Sequence, residues 1–406
     1  MKVLLINSVS GIKSTGRICT DLADALIETG HECRIAYGRE HVPERYRTIS
    51  YRIGSDFDVF LHGLQSRIFD NTGFGSRKAT VPLIDWIKAY DPDIIHLHNL
   101  HGYYINIEVL FNYLKEAGKP VVWTLHDCWP FTGHCAHFDF VGCEKWKMGC
   151  FQCPQKGEYP TSYVFDSSKQ NYQRKKELFT SLNNLTVVTP SNWLAGLVKQ
   201  SFLSKYPVQV IHNGIDLEQF KPTPSKFRVK HGIENKVMLL GIASVWNHRK
   251  GLNTFLELAE MLDDHYVIVL AGLSKKQLDN LPKNIIGIQR TDSVKELAEI
   301  YTAADVFINP TMEDNYPTVN LEALACGTPV IFFNTGGNAE TIKANTGIAT
   351  ETRDAEGIVK VINSDFWSKI DVSIETRKHL DKNLQNIQYI SLFNSFRLFD
   401  LKRASC

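Results

Sequence analysis

The sequence predicts an α/β protein with two doubly wound parallel-sheet domains. Short runs rich in Val, Ile and Leu alternate with amphipathic helical patterns, as in βαβ units whose sheets are covered on both faces. The chain has 406 residues, more than one hydrophobic core usually holds. Residues 216–225 carry two prolines and no hydrophobic periodicity, as expected of a linker between domains.

Apolar runs predict the individual strands. In the first half they lie at 3–6, 33–37, 94–97, 121–124, 185–189 and 208–211, and in the second half at 237–243, 266–271, 285–288, 306–309, 329–333 and 348–349. We assign residues 1–213 to a first domain, 214–375 to a second and 376–406 to a helical tail that returns to the first. Residues 41–80 are weakly patterned, and we interpret them as a mobile insertion at one edge.

The charge and the apolar runs of the chain exclude several classes of protein. A net charge of +1 excludes a nucleic-acid binder that works through bulk charge, because neutralising phosphates needs a clear basic surplus. No apolar run approaches the roughly 20 residues that span a bilayer, and the short apolar start of the chain is too brief for a signal peptide. We therefore expect a cytoplasmic protein.

The segment 314–330 is the most informative part of the chain. Asn315 and Pro317 mark a loop after the apolar strand 306–309, and the next segment has one apolar face at helical spacing. Glu322 then lies in the first turns of a helix. Amide groups at a helix start favour a diphosphate, and a carboxylate beside them accepts bonds from sugar hydroxyls. On these grounds alone, an ordinary strand-loop-helix with surface acids is an equal alternative.

Two further loops are candidates for binding phosphate. Arg249 and Lys250 follow the strand 237–243 and precede a helix that opens at Gly251, at the carboxyl edge where open α/β sheets bind ligands. The alternative is a solvated basic pair. The first βα loop ends at Gly16, where glycine allows close approach of a phosphate. The dinucleotide pattern Gly-x-Gly-x-x-Gly is absent.

These residues resemble a known family. The segment 314–330, Val210-Ile-His-Asn-Gly-Ile-Asp216 and Arg249-Lys-Gly251 are similar to the family 4 (group 1) glycosyltransferases, which are retaining nucleotide-sugar enzymes with two facing Rossmann-like domains, the GT-B fold. The resemblance covers roughly residues 1 to 350 and includes bacterial enzymes of surface-polysaccharide synthesis. It implies a GT-B hexosyltransferase that needs no metal for transfer.

The resemblance also implies roles for individual residues. The family has two acids separated by seven residues, and here that spacing falls on Asp314 and Glu322, with Glu313 one position too early. Glu322 would hold the ribose, and the loop of Asp314, Asn315, Tyr316, Pro317 and Thr318 would hold the donor sugar and phosphates. The family's Arg, five residues before the Lys, is replaced by Val245, so that Arg249 would take over its role.

Histidines follow two neighbouring strands of the first half. His126 comes directly after the strand 121–124, and the family resemblance implies that it aligns the donor sugar, with Asp127 orienting its imidazole. A histidine bonded only to backbone is the alternative. In the segment 94–101, alternation sends His96 and His98 to one face. Metal binding is one interpretation of these residues and His101, and satisfied histidines with acceptor contacts are the one we favour.

Four cysteines, Cys135, Cys143, Cys150 and Cys153, form a cluster in the loop 128–158. Four thiolates satisfy a tetrahedral zinc ion, and a long loop without a core of its own would gain from a metal clip. We predict structural zinc, with buried thiols, and a disulfide or redox pair, as alternatives. The other cysteines show no grouping, and Cys19, Cys33 and Cys326 have apolar neighbours typical of core residues.

The predicted function is transfer of a sugar from a nucleotide-diphosphate donor to a growing, lipid-linked cell-surface glycan. The resemblance implies a front-face retaining mechanism, domain closure about Gly214 and a polyprenol-diphosphate-linked acceptor. Basic residues of the first domain predict peripheral contact with the inner membrane face, and a solvated basic face is the alternative. These residues are Lys145, Lys147, Lys156, Lys169, Arg174, Lys175 and Lys176. Two rival functions are a GT-B nucleotide-sugar epimerase and a catalytically silent partner in a polysaccharide assembly complex.

Overall fold

The computed structural model describes residues 1–343 and 345–404. The chain divides into two compact units. The first unit holds residues 1–212 and the described chain from Gln385 onward, and the second holds residues 213–384. The last two residues of the predicted tail, 405 and 406, lie outside the described residues.

The first unit contains one seven-stranded sheet. In chain order its elements are β1 (Lys2–Asn7), α1 (Lys13–Glu28), β2 (Glu32–Tyr37), β3 (Ser50–Arg52), α2 (Asp56–Phe69), α3 (Arg77–Tyr90), β4 (Ile94–Leu97), α4 (Ile107–Ala117), β5 (Val121–Thr124), α5 (Ser168–Phe179), β6 (Leu185–Thr189), α6 (Asn192–Gln200) and β7 (Val208–Val210). The strand order is β3-β2-β1-β4-β5-β6-β7, and all neighbours pair in parallel.

The second unit contains a six-stranded sheet. Its elements are α7 (Phe227–His231), β8 (Val237–Ile242), α8 (Leu252–Met261), β9 (Tyr266–Ala271), α9 (Lys275–Leu278), β10 (Ile285–Ile288), α10 (Val294–Ala303), β11 (Val306–Asn309), α11 (Thr318–Ala325), β12 (Val330–Phe332), β13 (Gly347–Ala349), α12 (Ala355–Asn363) and α13 (Ile374–Arg377). The strand order is β10-β9-β8-β11-β12-β13, again parallel throughout. Both sheets are doubly wound, as predicted.

Alternate residues of β1 enter two different cores of the first unit. Leu4 and Ile6 belong to a cluster with residues of α3 and α4, whereas Val3 and Leu5 pack with residues of α1 and of the final helix, α14 (Lys382–Ala404). Hydrophobic side chains on both faces are what a sheet covered by helices on both sides requires.

The helix α14 contributes two large side chains to the first unit. Tyr389 and Phe393 are almost fully buried beside β1 and β5, and the hydroxyl of Tyr389 lies 2.9 Å from Oγ1 of Thr124. Although α14 has 23 residues, no helix within 1–343 and 345–404 is both long and apolar enough to cross a membrane.

Every predicted strand is present to within one residue at each end, but the interpretation of residues 41–80 as a mobile insertion is wrong. This stretch forms the edge strand β3, the whole of α2 and the beginning of α3. The inward residues of α2 include His62, Gly63 and Ser66, so that the usual apolar signature of a packed helix is missing from the sequence.

The aromatic side chains of the loop 128–158 belong to the main hydrophobic core of the first unit. Two short 3₁₀ helices, Trp129–Phe131 and Lys145–Lys147, are its regular elements. The ring of Trp146 packs against those of Phe131 and Phe138, with centroids 5.4 and 5.0 Å apart, and Trp146 is 1% exposed. Hydrophobic burial therefore supplies part of the order that we had assigned to a metal clip.

Lys175 does not belong to a basic surface, contrary to the prediction. It is buried, and its ammonium donates hydrogen bonds to the carbonyls of Trp129 and Thr132 at 2.8 and 3.1 Å. The Nζ atom also lies 3.5 Å from the centre of the Trp129 ring. Burial lowers the pKa of Lys175 to about 7. Its side chain thus fixes the start of the cysteine loop.

We expect Phe393→Ala to destabilise the first unit by about 3 kcal/mol, because it removes a buried aromatic ring and leaves a cavity. Thermal unfolding followed by calorimetry measures the effect. The matched control is Ile387→Ala in the same helix, where the side chain is 63% exposed. Equal melting temperatures for the two variants would contradict the packing of α14 described above.

Candidate active site

The second sheet reverses its direction of winding between β8 and β11. These strands pair in parallel, with Val306 opposite Leu239 and Phe307 opposite Leu240. The loops that follow them, 243–251 and 310–317, therefore leave the same carboxyl edge. This edge, at the switch in strand order, is where ligands bind to open α/β sheets.

The structure brings the predicted cations to the predicted acid. Nζ of Lys250 lies 2.5 Å from Oδ2 of Asp314, and the Arg249 guanidinium donates to the carbonyl of Glu313 at 2.9 Å. Gly251, with φ +77°, lets the backbones of the two loops come close together, because a Cβ there would stand 2.4 Å from the Pro310 carbonyl oxygen. The two loops form one charged cluster.

The two candidate acids of the 310–317 loop differ in exposure. Glu313 is 2% exposed, whereas the side chain of Asp314 is 17% exposed, in contact with Lys250. The second carboxylate oxygen of Asp314 accepts the Asn315 amide at 2.9 Å, and its carbonyl accepts the Gly337 amide at 3.1 Å. Of the two carboxylates, that of Asp314 is the more accessible to a ligand.

Glu322 lies in α11, four residues after the first helical residue. It is 3% exposed and accepts a hydrogen bond from the Tyr301 hydroxyl at 2.9 Å. Our expectation of a single apolar face on this helix is wrong, because residues 320–325 are all buried. The helix packs against β11, β12 and α10 at once. Pro317, which precedes it, has no side-chain group that could cap the first amides.

Sequence reasoning missed a buried amide network that holds this region. The amide of Asn309 donates to Oδ1 of Asn320 at 2.8 Å, and the amide of Asn320 donates to Oδ1 of Asn338 and to Oγ1 of Thr341, both at 2.7 Å. All four side chains are buried. The network joins the end of β11 to α11 and thereby fixes the loop between them. Polar residues inside otherwise apolar segments were its only signal.

Three histidines of the first unit lie next to one another: His96 in β4, His98 directly after it, and His126 after β5. The rings of His96 and His98 have centroids 4.1 Å apart, which confirms that they share a face, and Nδ1 of His98 lies 3.0 Å from Nε2 of His126. Burial lowers the pKa of His126 to about 4 and that of His96 to about 3, and it also holds the pKa of His98 well below its ordinary value. These imidazoles are neutral at pH 7.

A second polar chain runs beside them. The carboxylate of Asp127 lies 2.7 Å from Nε2 of His101 and accepts the Trp129 amide at 2.9 Å. The other ring nitrogen of His101 lies 2.9 Å from the Tyr159 hydroxyl. Burial raises the pKa of Asp127, but His101 and the Trp129 amide lower it to about 2. Asp127 is thus an ionised partner of His101, a pairing that the sequence did not suggest.

Gly16 lies within α1 and is buried. A Cβ at this position would stand 3.1 Å from Cγ2 of Val9 and 3.2 Å from the Gly11 nitrogen. The first βα loop therefore closes over Gly16, and its amide contact with a donor stays a prediction.

The four clustered cysteines line one small pocket of the loop 128–158. The Gly133 amide donates to the sulfur of Cys150 at 3.2 Å. No disulfide joins the cysteines of the described chain. Within the same residues, no group of three or more His, Cys, Asp or Glu side chains has the arrangement of a metal site. The structure therefore gives the zinc prediction no direct support. Cys19, Cys33 and Cys326 are buried, as predicted.

Family models cover both units. Residues 15–219, half of the chain, match the model described as Glycosyltransferase Family 4. The chain belongs to glycosyltransferase family 4. Residues 225–386 match the model described as Glycosyl transferases group 1. This family 4 protein is therefore a sugar transferase, as the sequence motifs predicted.

Curated relatives agree with the family. The chain is 26% identical, over 73% of its length and 72% of the relative's, to a protein of Escherichia coli (strain K12) named as a colanic acid biosynthesis glycosyl transferase, WcaC. It is 29% identical, over 36% of its length and 47% of the relative's, to the processive diacylglycerol alpha-glucosyltransferase of Acholeplasma laidlawii.

Solved structures show the same fold. Sucrose-phosphate synthase from Thermosynechococcus elongatus superposes with a TM-score of 0.69 at 16% identity, over 98% of this chain and 99% of that one. Anabaena HepE in complex with UDP-glucose superposes with a TM-score of 0.67 at 16% identity, over 97% and 100% of the two chains. The fold class is GT-B, as predicted.

The neutral histidines make stability depend on pH. Their pKa values are near 6.5 in the unfolded chain and lower in the folded one, so the unfolded state binds more protons below about pH 6.5. We expect the melting temperature to fall between pH 7 and pH 5, with each histidine contributing roughly 2 kcal/mol. The variant His96→Gln should lose less stability over this interval than the wild type. An equal loss would contradict the neutral state of His96.

Proposed function

We propose that this enzyme is a retaining glycosyltransferase that moves a sugar from a nucleotide-diphosphate donor to a growing cell-surface glycan. The observation that carries the proposal is the contact of Lys250 with Asp314 beside the start of α11. A cation at the carboxyl edge of a parallel sheet suits a diphosphate leaving group, whose negative charge grows as the sugar bond breaks.

The residues of this edge divide the work of holding the donor. Lys250 and Arg249 face the phosphates, and the uncapped amides at the start of α11 add partial positive charge. Glu322 accepts hydrogen bonds from the ribose, and Tyr301 fixes the orientation of its carboxylate. Asp314, Asn315, Tyr316, Pro317 and Thr318 form the loop that contacts the sugar. The carboxylate of Asp314 contacts the Lys250 ammonium, and a donor phosphate would share this ammonium or displace the carboxylate.

The mechanism we propose is a front-face one, in which a donor phosphate oxygen accepts the proton of the acceptor hydroxyl. His126 is neutral at pH 7, because burial holds its pKa near 4. A neutral imidazole can align a sugar hydroxyl by a hydrogen bond without repelling the positive charge that develops at the sugar carbon. No metal is required for this step.

Two relatives favour a lipid-linked or glycan acceptor. One is named for colanic acid biosynthesis and another for glucosylation of diacylglycerol. We propose a polyprenol-diphosphate-linked glycan as the acceptor, used by a cytoplasmic enzyme at the inner membrane face. Anabaena HepE was crystallised with UDP and with UDP-glucose, which favours a uridine nucleotide as the first donor to test.

Thermal shift of the purified protein with UDP, GDP, ADP and their sugar conjugates tests the donor site. A nucleotide at about 100 times its dissociation constant should stabilise the protein by about 3 kcal/mol. We expect Lys250→Ala and Glu322→Ala to weaken binding by roughly 30-fold each, the loss of one hydrogen bond to a charged group. The control is Glu356→Ala, which removes an exposed carboxylate of α12.

His126→Ala should leave nucleotide binding intact and reduce turnover by at least about 100-fold.

The products decide between the proposal and its rivals. Release of nucleotide together with transfer or hydrolysis of the sugar supports a glycosyltransferase. A change in the configuration of the sugar without loss of the nucleotide would identify an epimerase. If the protein is folded but none of the nucleotides raises its melting temperature, it would be a silent partner, and the site assignment would be wrong.

We also propose that Cys135, Cys143, Cys150 and Cys153 bind a structural zinc ion. They line one pocket, and the Gly133 amide bonded to Cys150 would stabilise a thiolate. Four thiolates match the donors that zinc prefers, although the thiols would have to close around the ion to reach binding distances. This zinc would order the loop and take no part in transfer.

Metal analysis of the purified protein tests this proposal. We expect about one zinc per chain, lost in a Cys150→Ser/Cys153→Ser double variant and kept in the Cys19→Ser variant, which alters a cysteine outside the cluster. Protein free of zinc after expression in zinc-supplemented medium would favour buried thiols. A mass two units lower per cysteine pair under non-reducing conditions would instead identify a disulfide.

A further inference from the structure

The helix α2 is packed with its polar side inward. His62, Gly63 and Ser66 are buried, whereas four large apolar side chains point to solvent. Their spacings of three and four residues place them on one face of the helix. They are Phe57, Phe60, Leu61 and Leu64, which are 66, 60, 39 and 42% exposed, respectively. Burying this stripe inside the unit would require the helix to roll about its axis.

Specific bonds prevent such a roll. Nε2 of His62 accepts the amides of Gly73 and Gly75, both at 3.2 Å, and its Nδ1 lies 2.9 Å from the Ser76 hydroxyl. Ser55 and Asp58 form a capping box at the helix start. Turning the apolar stripe inward would break the three contacts of His62 with residues outside the helix and expose a buried imidazole. The outward position of the stripe is therefore built into the fold.

The apolar surface continues beyond the helix. The amides of Tyr163 and Phe165 donate to the carbonyls of Arg67 and Ile68 at 2.7 and 3.0 Å, which holds residues 163–165 against the end of α2. The ring of Phe165 stacks on that of Phe69, with centroids 5.7 Å apart, and all three residues of the segment are more than half exposed. We call the four stripe residues, Phe69 and residues 163–165 the α2 patch.

The size of the patch marks an interaction site. With roughly 200 Å² for each large side chain, about half of it exposed, the stripe alone presents about 400 Å². The helix end and residues 163–165 extend this beyond the roughly 300–600 Å² of the largest apolar patch on a typical monomer.

The charges at the patch indicate what covers it. Arg67 is exposed at its edge, and the ammonium of Lys156 donates to the Val164 carbonyl at 3.2 Å. The two acids at the start of α2 have partners, since Asp56 pairs with Arg52 and Asp58 accepts bonds from Ser55. An apolar face with cations at its rim complements a layer of acyl chains beneath anionic headgroups.

We propose that the α2 patch docks this enzyme on an anionic membrane surface, with the stripe inserted among the acyl chains and Arg67 and Lys156 at the headgroups. The inference rests on the proposed lipid-linked acceptor. A series of contacts connects the patch to the carboxyl ends of β4 and β5. The Arg67 guanidinium lies 5.9 Å from the centre of the Tyr103 ring, that ring lies 6.4 Å from the Tyr159 ring, and the Tyr159 hydroxyl contacts His101.

Sedimentation of the full chain with lipid vesicles tests the proposal. We expect binding to mixed phosphatidylglycerol and phosphatidylcholine vesicles, weaker binding to phosphatidylcholine alone, and a loss of at least about 10-fold in Phe57→Ser/Phe60→Ser. Arg67→Gln/Lys156→Gln should weaken only the binding to anionic vesicles, by roughly fivefold for each cation. The matched control, Val229→Ser/Phe366→Ser, removes two exposed apolar side chains of the second unit and should bind like the wild type.

Two results would overturn the proposal. One is a wild-type protein that stays in the supernatant with both vesicle types. The other is a wild-type dimer that Phe57→Ser/Phe60→Ser converts to a monomer without any binding to vesicles, since a second copy would then cover the patch. Thermal shift of the same variants with nucleotides distinguishes failure of the docking proposal from failure of the proposed donor site. Vesicle binding by a protein whose melting temperature no nucleotide raises would support the docking surface and reject the proposed donor.

Discussion

The parallel pairing of β8 with β11 is the constraint on which the candidate donor site depends. These strands are distant in sequence, but their pairing makes the loops after them leave one edge of the sheet side by side. Lys250 and Asp314 meet only because of this pairing. Gly251 and the buried amide network around Asn320 then remove the remaining freedom of the two loops. Backbone topology sets the position of the charges, and the buried polar contacts set their orientation.

Burial sets the chemical state of the other candidate residues. His96, His98 and His126 are neutral because the interior of the first unit disfavours a charged imidazole. Asp127 stays ionised in a comparable environment because His101 and a backbone amide stabilise its charge. Neighbouring groups at the ends of β4 and β5 thus differ in charge because their hydrogen-bond partners differ.

The apolar surface of α2 shows the same principle in reverse. The polar contacts of His62 with two backbone amides take precedence over the burial of four large apolar side chains. Such an arrangement costs free energy in water, and a partner that covers the face would recover it. The membrane surface that we propose as this partner suits the apolar face, and the helix itself lies in the weakly patterned stretch 41–80.

The sequence by itself determined the family and every strand except the edge strand β3, because hydrophobic runs of strand length and the 314–330 motif depend on local order alone. It also identified Arg249, Lys250 and Asp314 as the charged candidates. Tertiary structure decided the rest. It showed that Asp314 rather than Glu313 carries the more accessible carboxylate, that Lys175 is buried, that His101 pairs with Asp127, and that α2 is a helix packed by polar contacts. Each of these depends on which distant residues surround a side chain, and a pattern along one segment does not contain that information.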